Sequence, residues 1–144
     1  MPGQPFVFES RVRFGDTDAS GRIFYVSLLN HFDAAEAEFL RHLGVAYREI
    51  QDRKVGFPRV RVECDYTGAL VYDDLMAIAV TVDRIGGASF TLAFDVTVEG
   101  RNAARGKVTI VAIDRQTHRP IPLPGNLRAA LETYRDGSSA SSPM

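Results

Sequence analysis

The sequence predicts an α+β fold in which one long helix is covered by a curled antiparallel sheet. Three observations point there. A helix-period apolar stripe runs from Ser27 to Leu43, segments with a two-residue apolar period lie before and after it, and glycine-rich turns separate the later segments. A stripe that wide needs a sheet wrapped over it. Such a sheet leaves open edges, so a homodimer or a dimer-based homotetramer is expected.

Taken in order, Phe6, Phe8, Val12 and Phe14 share one parity while Glu9, Arg11 and Arg13 share the other, which describes a half-buried strand. It leads into a turn from Asp16 to Gly21. The helix follows, with Leu28, Phe32, Ala35, Phe39 and Leu43 three or four residues apart and Leu29 and Leu40 widening the face. Ser27 is placed to cap its first turn and Gly44 to close it. Val45 to Lys54 reads as a surface connection with room for a short helical turn. Val60, Val62, Cys64 and Tyr66 then alternate with Arg59, Arg61, Glu63, Asp65 and Thr67, giving a second strand. Gly68 to Asp74 makes a turn before a third strand through Met76, Ile78, Val80 and Val82. Gly86 and Gly87 turn the chain again into Ser89 to Glu99. Gly100, Arg101 and Asn102 make a polar turn, and Ala103 to Asp114 completes the sheet. Pro120, Pro122 and Pro124 mark an extended link before a short helix from Gly125 to about Arg135. One domain over residues 1–136 is expected, with a disordered serine-rich tail at 137–144.

A length of 144 residues with 45% hydrophobic and 24% charged residues suits one globular domain. The net charge of −1 argues against nucleic-acid binding. The N-terminal segment lacks a charged region followed by a long apolar run, and no window has the length of a membrane span, so a cytoplasmic protein is expected. The single cysteine, Cys64, excludes an intrachain disulfide framework and cannot by itself build a thiolate metal site. It falls on the apolar parity and reads as core filler. No metal and no cofactor are expected.

The chemistry concentrates just ahead of the long helix. Asp16, Thr17, Asp18, Ala19, Ser20 and Gly21 form a carboxylate-bearing turn, and the first-turn amides of the helix favour an oxygen that gains negative charge. Carboxylate beside polarised carbonyl is acyl-transfer chemistry, in which Asp18 attacks the carbonyl or deprotonates a water while amides near Tyr25 hold the oxygen. Ordinary turn chemistry uses the same residue types. A calcium loop shares the D-x-D-x-S-G opening, but Ser27 stands where that loop needs a bidentate glutamate. His31, His42 and His118 read as surface or packing residues.

The run Arg13 to Tyr25, R-F-G-D-T-D-A-S-G-R-I-F-Y, followed by a long helix, resembles the 4-hydroxybenzoyl-CoA thioesterase family, which includes the Tol-Pal-associated acyl-CoA thioesterases. The resemblance weakens beyond Gly44 and returns at Tyr72, Asp73 and Asp74. It implies a hotdog fold, sites at a dimer interface, and hydrolysis of an acyl or aroyl thioester. It implies that Asp18 is catalytic and that the Tyr25 backbone amide helps polarise the thioester carbonyl. Asp33 matches an acidic helix position of the family and reads as structural. Glu36 is a second-choice base, because some other hotdog thioesterases use a helix carboxylate. Where relatives follow the tyrosine with His or Pro, a small residue, Asn and Tyr, this chain has Val26, Ser27, Leu28 and Leu29. A basic run that grips CoA phosphates in benzoyl-type relatives is reduced here to Arg84. Arg59 and Arg61, or Arg101, Arg105 and Lys107, are the other candidates for holding CoA. An acyl carrier protein is the alternative carrier, and a non-catalytic acyl-binding module the alternative role. A hydratase or dehydratase fits less well, since Asp16 to Tyr25 contains no histidine.

Overall fold

The computed structural model describes residues 5–47 and 54–139, the last four of them by backbone alone. Five strands, β1 (Phe6–Arg11), β3 (Arg59–Tyr66), β4 (Leu75–Ile85), β5 (Ser89–Val98) and β6 (Arg101–Val111), form one sheet in the order β1-β4-β5-β6-β3. Every neighbouring pair is antiparallel. The helix α1 (Ser27–His42) packs on one face of the sheet, burying Leu28, Phe32, Ala35, Phe39 and Leu40. This is the helix-and-sheet arrangement that the periodicities predict.

The centre of that packing is tight. Phe32 of α1 stacks on Phe94 of β5 with ring centroids 4.6 Å apart and planes 10° from parallel. Gly106 of β6 lies beneath the same ring, and a Cβ there would fall 2.4 Å from it. The aromatic pair therefore requires a residue without a side chain at 106.

Turn chemistry follows the sequence closely at two places. Gly44 has φ of 79° and ends α1, with the Val45 N–H returning to the Leu40 carbonyl at 2.9 Å. Glu99 and Gly100 both have positive φ, 50° and 82°, as a two-residue hairpin turn demands. That turn is shorter than the one expected, so β6 begins at Arg101 rather than Ala103.

Other expectations are corrected. Phe14 is 78% exposed, because β1 stops at Arg11 and the chain enters a 3₁₀ turn at Phe14–Asp16 that takes it off the strand parity. Ser27 does not cap α1; it is the buried first helical residue, and Val26 holds the cap position with no side-chain hydrogen bond. Val45 and Ala46 are buried, not on the surface, while most of the connection expected over Val45 to Lys54, with its room for a short helical turn, lies at 48–53, outside the described residues. A two-stranded ribbon of β2 (Val55–Gly56) and β7 (Ile113–Asp114) was not anticipated. The second helix, α2 (Gly125–Ser139), docks on β4 through buried Leu127, Leu131 and Tyr134. It is longer than expected, so residues 137–139 are helical, and the rest of the expected tail lies outside the described residues.

The largest departure concerns β3. Its apolar residues do not face the core of the single chain: Val60, Val62 and Tyr66 are all exposed, and only Cys64 packs partly against the core. β3 is an edge strand, paired to β6 alone among the described residues.

Candidate active site

The turn after β1 is built around Asp16. Its Oδ2 accepts the Arg13 N–H at 2.8 Å, and its carbonyl accepts the Phe24 N–H at 2.7 Å, which draws the two arms of the turn together. The Ile23 N–H bonds the Leu70 carbonyl at 2.8 Å, and Arg22 bridges Val71, so the loop before β4 straps the turn from outside. Partial burial works to raise the Asp16 pKa, but the Arg13 amide and the His31 ring outweigh it and the carboxyl sits below the usual range.

Asp18 stands at the exposed tip of this frame. Ser20 donates both its hydroxyl, at 2.5 Å, and its N–H, at 2.8 Å, to Asp18 Oδ1. Those bonds, the hydroxyl first, hold the carboxyl below its ordinary pKa, so it is ionised at neutral pH. Among the described residues no hydrogen bond reaches Oδ2. One oxygen is fixed and the other is uncommitted.

Tyr25 and Val26 lie between the turn and the first residue of α1. Among the described residues their N–H groups make no hydrogen bond, while the flanking Phe24 and Ser27 amides are both engaged. Two free donors thus stand at the positive end of a helix of 16 residues. The Tyr66 hydroxyl at the end of β3 donates to the Tyr25 carbonyl and fixes the peptide from its other side. The exposed rings of Phe24, Tyr25 and Tyr66 form an apolar rim here.

Glu36 is elsewhere. It sits nine residues past Ser27 on α1, is 3% exposed, and accepts hydrogen bonds from the Tyr47 hydroxyl, at 2.5 Å, and the Arg59 guanidinium. Burial raises its pKa, with Arg59 opposing, and pushes the Tyr47 phenol up as well. A cavity of about 180 Å³ opens beside the cluster, between α1 and β3, lined by Leu29, Phe32, Val62 and Val108 as well as Glu36 and Arg59.

The other basic candidates are dispersed. Arg59 is bound to Glu36 and to the Phe57 carbonyl, Arg61 pairs with Glu63, and Arg84 is exposed at the irregularity in β4. Arg101 pairs with Asp74, Arg105 with Asp95 and Lys107 with Asp83. His31 falls on the packing side of its expected reading. It is buried and bonds Asp16, although no histidine occurs within the turn itself. The signal was its place three residues after Leu28 and four before Ala35, on the buried stripe. His42 and His118 are exposed. No group of three metal-binding side chains occurs among the described residues.

Comparison with known proteins finds residues 12–131 matching the model of the thioesterase-like superfamily. The chain is 25% identical over 126 residues to the Haemophilus influenzae acyl-CoA thioesterase YbgC, covering 87% of this chain and 93% of that one. It is 28% identical over 131 residues to a 1,4-dihydroxy-2-naphthoyl-CoA hydrolase of Nostoc punctiforme, covering 90% and 88%. Among solved structures, that of BH1999 gentisyl-coenzyme A thioesterase superposes with a TM-score of 0.79 at 32% identity, over 88% of this chain and 99% of that one.

Proposed function

The chain belongs to the thioesterase-like superfamily, and on that premise we propose that it is a hotdog-fold enzyme that hydrolyses the thioester of an acyl- or aroyl-CoA with Asp18 as the reacting carboxylate. The observation that carries this reading is the ionised Asp18, with one oxygen uncommitted, in the turn that leads into the unbonded amides of Tyr25 and Val26. A thioester carbonyl whose oxygen takes those amides would present its carbon to the turn.

Two routes lead to the same products. In one, an Asp18 oxygen attacks the carbonyl carbon, the C–S bond breaks, the thiolate leaves and takes a proton, and water opens the resulting anhydride. In the other, Asp18 removes a proton from water, the hydroxide adds to the carbon, and the departing thiolate recovers that proton. In both, negative charge gathers on the oxygen held by the amides. The cavity between α1 and β3, with Leu29, Phe32, Val62 and Val108 in its lining, offers apolar surface for the acyl group.

The exposed apolar residues of β3 support a dimer that extends the sheet through this edge. Pairing there would cover Val60, Val62 and the rim of Tyr25 and Tyr66, and would close the open side of the cavity.

A panel of acyl-CoA, aroyl-CoA and carrier-protein thioesters, read by released thiol, tests the function. Hydrolysis of a CoA thioester that survives exhaustive chelation is expected. Binding without turnover across the panel would leave an acyl-binding module instead.

A further inference from the structure

Ser10 of β1, His31 of α1 and Asp16 of the turn form a linear hydrogen-bonded chain. Ser10 Oγ is 2.6 Å from His31 Nδ1, and His31 Nε2 is 2.8 Å from Asp16 Oδ2. An ionised carboxylate only accepts, so Nε2 carries the proton, and in the neutral ring Nδ1 accepts a hydrogen bond from the Ser10 hydroxyl. Both ring nitrogens are committed, and at 4% exposure the ring has no access to a substrate.

What the chain connects gives it a use. His31 belongs to the turn of α1 immediately after Ser27, so it is rigidly linked to the helix start. Asp16 lies two residues before Asp18, and its own carbonyl holds the Phe24 N–H, one residue before Tyr25. The geometry points to His31 as a positioning residue that, through Asp16, sets the distance between the Asp18 carboxylate and the free amides of Tyr25 and Val26. A side chain present only to fill volume would need neither nitrogen. An apolar residue here would leave Asp16 Oδ2 with the Arg13 amide alone and the Ser10 hydroxyl without this partner.

The kinetic consequence rests on the thioesterase reading, and the structural consequence does not. Misplacing a reacting group by about 1 Å can cost ~10²-fold in rate. His31→Leu is therefore expected to lower kcat by roughly 10- to 100-fold with KM little changed, while dimer mass and a cooperative melt are retained. His31→Gln, whose amide can donate to Asp16, is expected to recover most of kcat. In a cycle with Asp16→Ala, the double variant should lose no more than the worse single one, because the two residues act as one link. Amide hydrogen exchange at Phe24 and Gly21 should quicken in His31→Leu and return in His31→Gln. Wild-type kcat in His31→Leu, equal loss in Leu and Gln, or additive losses would each overturn the assignment. If His31→Leu does not fold, Asp16→Ala is the test, and full kcat there overturns it. If the wild-type protein hydrolyses no thioester, the functional reading fails, and exchange alone decides: unaltered protection at Phe24 sinks the positioning role.

Discussion

Tyr66, the last residue of β3, donates its hydroxyl to the main-chain carbonyl of Tyr25, 41 positions earlier in the chain. The edge strand and the start of α1 are thereby joined at the peptide proposed to receive the thioester oxygen. Tyr66→Phe removes the bond and little volume. Such a bond contributes about 0.5–1.5 kcal/mol net to stability, so Tm should fall by roughly a few degrees, and kcat should fall by roughly two- to tenfold if the same energy holds the Tyr25 peptide in place. A panel of initial rates at saturating substrate measures this, and an unaltered kcat would show that the Tyr25 peptide needs no such support.

Asp18→Asn should lose nearly all hydrolysis while still folding and binding substrate analogues, whereas Asp16→Asn should keep much more. The exchange is nearly isosteric, so it removes the base or nucleophile without opening a cavity. Loss of a general base costs typically ~10²–10⁴-fold, mainly in kcat, and loss of a covalent nucleophile can cost more. Asparagine at 16 still offers a carbonyl to His31 and Arg13. Wild-type turnover by Asp18→Asn would remove the mechanism.

Val62→Asp places a charge in the middle of the exposed edge of β3. Light scattering should report a monomer in place of a dimer, and activity should fall with it. The far-UV spectrum should stay the same, because Val62 is outside the core of a single chain. An active monomer would refute the shared site.

Glu36→Gln tests the buried cluster through pH. The folded-state pKa of Glu36 is raised above its ordinary value of 4.5. Its contribution to stability is therefore full below 4.5 and declines as pH rises through the folded pKa, because the unfolded chain ionises first. The glutamine variant does not titrate, so the difference in Tm, variant minus wild type, should become more positive from about pH 4 to pH 8. Calorimetry across that range checks it. Turnover by Glu36→Gln should stay within about tenfold of wild type, since a general base would cost more.

Much of this architecture could be read from the chain because local rules and tertiary packing agree there. Leu28, Phe32 and Phe39 follow the helical period and are buried; Gly44 has the backbone angle that its position implies. Phe14 failed because parity is a property of a strand, and the strand had ended. Val60 and Val62 alternate correctly, yet their burial depends on what covers an edge, which no single-chain period encodes. The pairs His31 with Asp16 and Glu36 with Arg59 join residues 15 and 23 apart in sequence, on different elements. Nothing local announces them. The proposed role of Asp18 rests on resemblance, while the bonds by which Ser20 fixes one of its oxygens come only from the geometry.

Phe32 rests directly on the backbone of β6 at Gly106, with no side chain between them. The sheet thus acts as a gauge block for the helix: the clearance between the two layers is set by the thickness of one ring and one peptide. An alanine at 106 would have to jack α1 outward or tilt it. Because Phe32 follows His31 and lies five residues beyond Ser27, that tilt would swing the helix start away from a turn tied to the opposite edge. A methyl group far along the chain from the turn would in this way shift the start of α1 from behind.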